Sequence, residues 1–320
     1  MGIADIRSED DLLSHGAIFA ICVMWLLIFA ACYFIFWIHS RRSGIAKLKT
    51  AFEMNQRWYC VYLCRRSVYD VVASLCGIIW VITCFTVEKP LCSFVSSRSP
   101  AVQVMCAMAV GHWTTAMYEE YYMYAAWKTK MPGALAECIE MLLHHVIAVT
   151  AYLIIIFSRS LGGVGMQGLF FEVPIILLAI RDWAQFLESP WYYTRRGVNL
   201  LWAGVWILYP FARGFGPALW IASLPDGAVK TAVHDTVHGG SRVIWHIGGV
   251  VFTVLNLIVC LHYYPLHMGD LAEVRAKNKV VPVTAPAETK VVPVTKPTET
   301  KVVPVTTPAE EKVTPVTKLT

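Results

Sequence analysis

ALAECIEMLLHHVIAVTAYLIIIF, residues 134–157, is the stretch on which the fold turns. It is apolar and long enough to cross a bilayer, which takes roughly 20 residues of helix. Yet its first half holds Glu137, Glu140, His144 and His145. Ionisable groups at that depth are costly unless they face a cavity or a partner, so they mark a candidate site. Glu140 and His144 are four apart and share a helix face, with Glu137 close by. His145 lies about 100° further round, so the two imidazoles address different neighbours.

Six more apolar runs frame this one, over 17–38, 71–87, 101–127, 161–180, 198–223 and 243–264. The chain is 57% hydrophobic and 15% charged. A soluble domain has about 25% charged residues, so the composition points to a polytopic membrane protein. The expected fold is an all-α transmembrane bundle of about seven spanning helices. Residues 1–40 hold the N-terminus and an anchor helix too long for a cleaved signal. A basic connector follows over 41–67, then six helices over 68–266 and a tail over 267–320. Residue 6 is Ile6, not Ser or Thr, which argues against N-myristoylation.

Charge in the loops sets the orientation. The connector carries Arg41, Arg42, Lys47, Lys49, Arg57, Arg65 and Arg66, while the next loop has only Lys89 and Arg98. The positive-inside rule then puts the N-terminus outside or in a lumen and the C-terminus in the cytosol. The net charge of +5 comes from residues flanking apolar runs, which suits the bilayer and not nucleic acid. The ten cysteines sit mostly inside those runs without any CxxC spacing, and read as apolar packers.

The tail repeats KVVPVTxPxE[TE] at 279–289, 290–300 and 301–311. Two prolines per repeat exclude helix, and the segment reads as an extended spacer. Its PVTxP units are of the kind that dock in aromatic-lined grooves, so a cytosolic binding domain is a candidate partner.

Other polar residues interrupt the runs. His112 and Glu119 are seven apart, within roughly 20° on one helix face. Glu172, Arg213 and Asn256 sit, like His144, about 10–15 residues into their runs, near the middle of a ~30 Å core. One buried polar cavity between helices is the simplest arrangement, with interhelical hydrogen bonds that fix packing as the plainer alternative. Gly163, Gly165 and Gly168 fit GxGxxG, but no strand precedes them, so close helix packing explains them better than a dinucleotide. His234, Asp235, His238 and His246 offer donors for zinc in an exposed loop, a weak signal, and no metal is expected.

The paired histidines in Leu142-Leu143-His144-His145, with Glu172 in Phe170-Phe171-Glu172-Val173-Pro174, resemble the TLC domain family. That family includes ceramide synthases and other lipid-associated multi-pass proteins of the endoplasmic reticulum. Phe211-Ala212-Arg213 and Leu255-Asn256-Leu257 support the resemblance. Glu172 matches the first of two acidic positions in the synthases, and Ile175 stands at the second, as in the non-synthase branch. The resemblance implies a lipid-metabolic protein of the endoplasmic reticulum, with membrane lipids and a second copy of the chain as candidate partners. If it is an enzyme, the implied reaction is acyl transfer from acyl-CoA, a co-substrate, to a sphingoid or other lipid acceptor. His144, His145 and Glu172 would be its catalytic groups, and no bound cofactor is implied. His112, Glu119, Glu140, Arg213 and Asn256 would line the lipid site. The competing class is a lipid-binding protein of membrane homeostasis without catalysis. A transporter is disfavoured by the lack of an inverted repeat.

Overall fold

A computed structural model describes residues 12–42, 51–127 and 134–280. Residues 43–50, the loop holding Lys128 and Lys130, and the repeats beyond 280 lie outside the described residues, as does the Glu137 side chain. The described chain is helical, without a β-strand: α1 (His15–Arg42), α2 (Ala51–Cys84), α3 (Pro90–Ser96), α4 (Pro100–Trp127), α5 (Ala134–Ser158), α6 (Gly162–Phe170), α7 (Val173–Phe186), α8 (Arg195–Ala222), α9 (Ala228–Thr236) and α10 (Gly240–Val280). Five spans are long and apolar enough to cross a membrane: α1, α2, α5, α6 with α7, and α10. By that measure this is a membrane protein. Helices α4 and α8 match them in length at 28 residues each but are more polar.

Burial orders the spans. The α6–α7 window is 61% buried, against 11% for α1 and 6% for α10. The broken span is therefore the bundle's axis, and α1 and α10 are its rim. Phe19, Leu27, Phe34, Leu257 and Leu261 point outward, an apolar surface suited to hydrocarbon. Helix α2 packs on α6 and α7, α4 on α5 and α1, and α10 on α8. One apolar core joins α1, α2, α4, α5 and α6 around Trp80 and Met166. A second, around Trp202 and Val205, joins α7, α8 and α10.

Three expected elements differ in the structure. The run expected to end at 264, with a tail from 267, continues as α10 to Val280. The run expected to begin at 71 begins at Ala51, so most of the basic connector continues α2 as helix. The run 161–180 is two helices, not one. Pro174 has no N–H to give the Phe170 carbonyl. The chain tightens there, with Glu172 N donating to Leu169 O and Ile175 N to Glu172 O at 3.1 and 2.9 Å. Phe171 and Glu172 keep right-handed helical dihedrals, so the span continues in nearly the same direction.

The glycines of the GxGxxG stretch are sites of close approach. A Cβ on Gly163 would meet the Phe94 carbonyl, one on Gly165 the Cys106 sulfur, and one on Gly168 the Tyr152 hydroxyl, all within 2.4–2.5 Å.

Candidate functional site

Helix α2 presents two polar faces. Arg65 and Tyr69, four apart, turn toward α4. The Arg65 guanidinium forks onto both carboxylate oxygens of Glu119, and its Nη1 meets His112 Nδ1 at 2.8 Å. Tyr69 stacks on the His112 ring with centroids 3.4 Å apart. Arg65, Glu119 and His112 are all buried. His112 and Glu119, expected on one face, are thus joined through a cation that the sequence reading places in a connector.

The second face carries Arg66, Asp70, Ser74 and Gly77 at helical spacing and turns toward α6 and α7. Two contacts fix its register. Gly77 lies against the Phe170 backbone, where an added Cβ would be 2.6 Å away. Ser67 Oγ accepts from Trp183 Nε1 at 2.9 Å. The two spans therefore run antiparallel, and Asp70 and Ser74 fall between those contacts, level with the stretch that begins at Glu172. Arg66 Nε stands 3.7 Å from Asp70 Oδ2, too far for a hydrogen bond.

Missing backbone donors place the remaining groups. Because Ile175 N bonds back to Glu172, the Phe171 carbonyl accepts instead from Arg213 Nε at 3.2 Å. Pro217 gives no N–H to the Arg213 carbonyl. Asn256 Nδ2 donates to that carbonyl at 3.0 Å, and the Asn256 carbonyl takes the Tyr209 hydroxyl at 2.5 Å. Asn256 thus closes a proline break, while the Arg213 head reaches the Glu172 turn.

His145 is 2% exposed, with its ring 5.1 Å from Trp113 and 5.6 Å from the ring of His144. His144 is half-buried and edge-on to Trp113. Glu140 is exposed on the outer side of α5. No contact joins either imidazole to Glu172 among the described residues. Arg213 reaches the Phe171 carbonyl beside Glu172, and Arg66 reaches Asp70. The histidines pack on Trp113 of α4, while Glu172 sits at the α6–α7 break.

Four buried polar atoms in this region have no hydrogen-bond partner among the described residues: Tyr69 Oη, Asp70 Oδ2, Ser74 Oγ and His145 Nδ1. Each costs about 1–3 kcal/mol if left unsatisfied. Tyr69, Asp70 and Ser74 are absent from the candidates read in the sequence. Their signal is the Arg66–Asp70–Ser74 spacing, which shows only once α2 is extended back past residue 71. No group of three or more His, Cys, Asp or Glu side chains is poised to hold a metal among the described residues.

No protein-family model, curated protein or solved structure matches this chain.

Proposed function

We propose that this is a TLC-type multi-pass membrane protein of lipid metabolism, with seven spans formed by α1, α2, α4, α5, α6 with α7, α8 and α10. Its resident membrane is the endoplasmic reticulum, with the N-terminus lumenal and the C-terminus cytosolic. The reaction it is built for is acyl transfer from acyl-CoA to an amine or hydroxyl lipid. The observation that carries this reading is the set of buried polar atoms without a hydrogen-bond partner on α2 and α5: Tyr69 Oη, Asp70 Oδ2, Ser74 Oγ and His145 Nδ1. Water or a polar headgroup among them would supply the missing bonds.

In this reading His145 takes the proton of the acceptor amine or hydroxyl as that group attacks the thioester carbonyl. A C–N or C–O bond forms, the C–S bond breaks, and the CoA thiolate leaves with the proton that His145 returns. Asp70 and Glu172 hold the acceptor's polar head, and Arg66 and Arg213 steady the charge that develops on the carbonyl oxygen. Acyl chains lie between the apolar faces of the helices.

A second reading, lipid binding without catalysis, is favoured by the two guanidinium groups beside the same two carboxylates. Purified protein incubated with radiolabelled long-chain acyl-CoA and a panel of sphingoid bases and lysolipids separates them. Acyl transfer predicts labelled product that falls by about 10²-fold or more in His145→Ala. Absence of product and of any acyl-protein adduct defeats catalysis. Co-purified lipid lost in Arg213→Ala then supports the binder.

A further inference from the structure

Away from the interior site, a small crevice opens where the segment before α1, the α3–α4 junction and the α5–α6 junction meet. It is narrow and opens to the surface, and the 260 Å³ of space about it includes open solvent. Its polar lining comes from Arg98, Arg159, Gln103, Ser97 and Ser99, and no acidic side chain lines it. Helix α6 begins at its wall at Gly162, while at the start of α4 Ser99 already takes the Val102 and Gln103 N–H groups.

Two donors there have no partner. Gln103 is 6% exposed, and its Oε1 accepts the Leu13 N–H at 2.9 Å, but its Nε2 is buried without an acceptor. Arg159 spends Nη2 on the Leu13 carbonyl at 2.9 Å, while its buried Nε has no acceptor. Arg159 also holds a left-handed backbone, φ 56°, which is strained for a residue with a Cβ. Arg98 is anchored from the opposite side, with Nη2 on the Thr236 carbonyl at 2.8 Å. The wall thus offers two guanidinium groups and one amide donor, beside the start of α6.

We propose that this crevice is an oxyanion-binding site for a phosphate group, drawn either from an anionic lipid headgroup or from a soluble phosphate. Gln103 Nε2 and Arg159 Nε donate to its oxygens, and Arg98 supplies the second charge. The site stands apart from the interior cluster and does not depend on the reaction proposed there.

The test uses the full chain in an uncharged maltoside detergent, with the thermal midpoint as readout. Inorganic phosphate is titrated against sodium chloride at equal ionic strength, then phosphatidic acid against phosphatidylcholine in mixed micelles. The expected result is a saturable rise with phosphate or phosphatidic acid that chloride and phosphatidylcholine do not give. A response to inorganic phosphate assigns a soluble ligand; a response to phosphatidic acid alone assigns a lipid headgroup. Gln103→Glu keeps the acceptor for Leu13 but replaces the orphan donor with a carboxylate. It should raise the midpoint without ligand and abolish the response. Arg98→Gln should weaken binding about tenfold or more. Should one variant fail to fold, the other decides. An unchanged response in the variants, an equal response to chloride, or no saturable response to either phosphate probe overturns the proposal.

Discussion

Arg65 shows how one side chain can organise a membrane interior. It holds Glu119 with a two-pronged ion pair and reaches His112 as well, with all three buried. Removing one partner strands the other charge, which costs about 3–5 kcal/mol, whereas replacing both by apolar residues is often tolerated. Arg65→Leu and Glu119→Leu should each lower stability by about that amount, and the double variant should regain most of it. Reversible unfolding titrations in mixed micelles measure this; additive losses would show that the pair does not act as a unit. The histidines and Glu172 could be picked out from sequence because ionisable residues in apolar runs are conspicuous. Arg65, Arg66, Tyr69 and Asp70 were hidden because a helix that starts basic and ends apolar reads as a loop followed by a short span.

Two prolines and the groups that answer them shape the central elements. Pro174 tightens the turn between α6 and α7, and Arg213 takes the carbonyl that this turn releases. Pro217 leaves the Arg213 carbonyl to Asn256. Asn256→Leu should therefore cost about 1–3 kcal/mol by stranding that carbonyl. Pro217→Ala should recover part of the loss, because residue 217 then supplies an N–H to the same oxygen. Thermal unfolding of the two single variants and the double variant checks this, and no rescue would contradict it. Gly77 is the contact that brings α2 onto the axis. A Leu there must displace the Phe170 backbone, which should cost about 1–3 kcal/mol and any lipid transfer or binding at the interior site. The break at Glu172 could be suspected from Pro174. The pairing of Asn256 with Pro217 could not, because it depends on how α10 lies against α8.

Across the whole molecule, the all-helical membrane class and the positions of the apolar runs follow from composition and hydropathy alone. The extent of α10 does not. Beyond Pro265 it continues to Val280, held by Asp270, which accepts from Arg181, Gln185 and Trp202 and so ties α7, α8 and α10 together at one end of the bundle. Asp270→Ala should cost about 2 kcal/mol or more and free this end of α10 to proteolysis; an unchanged cleavage pattern would contradict it.

The proposed function requires water or a headgroup to reach the buried polar stripe of α2 inside the hydrocarbon. Methanethiosulfonate labelling tests it most directly, because the reagent needs a water-exposed thiolate. In a chain freed of its ten native cysteines, Ser74→Cys, at a fully buried position, is compared with Leu75→Cys, at a position 53% exposed on the outer face. The account predicts rapid labelling at 74 and slow labelling at 75. Fast labelling at 75 with none at 74 would mean that the stripe is dry, and would contradict it.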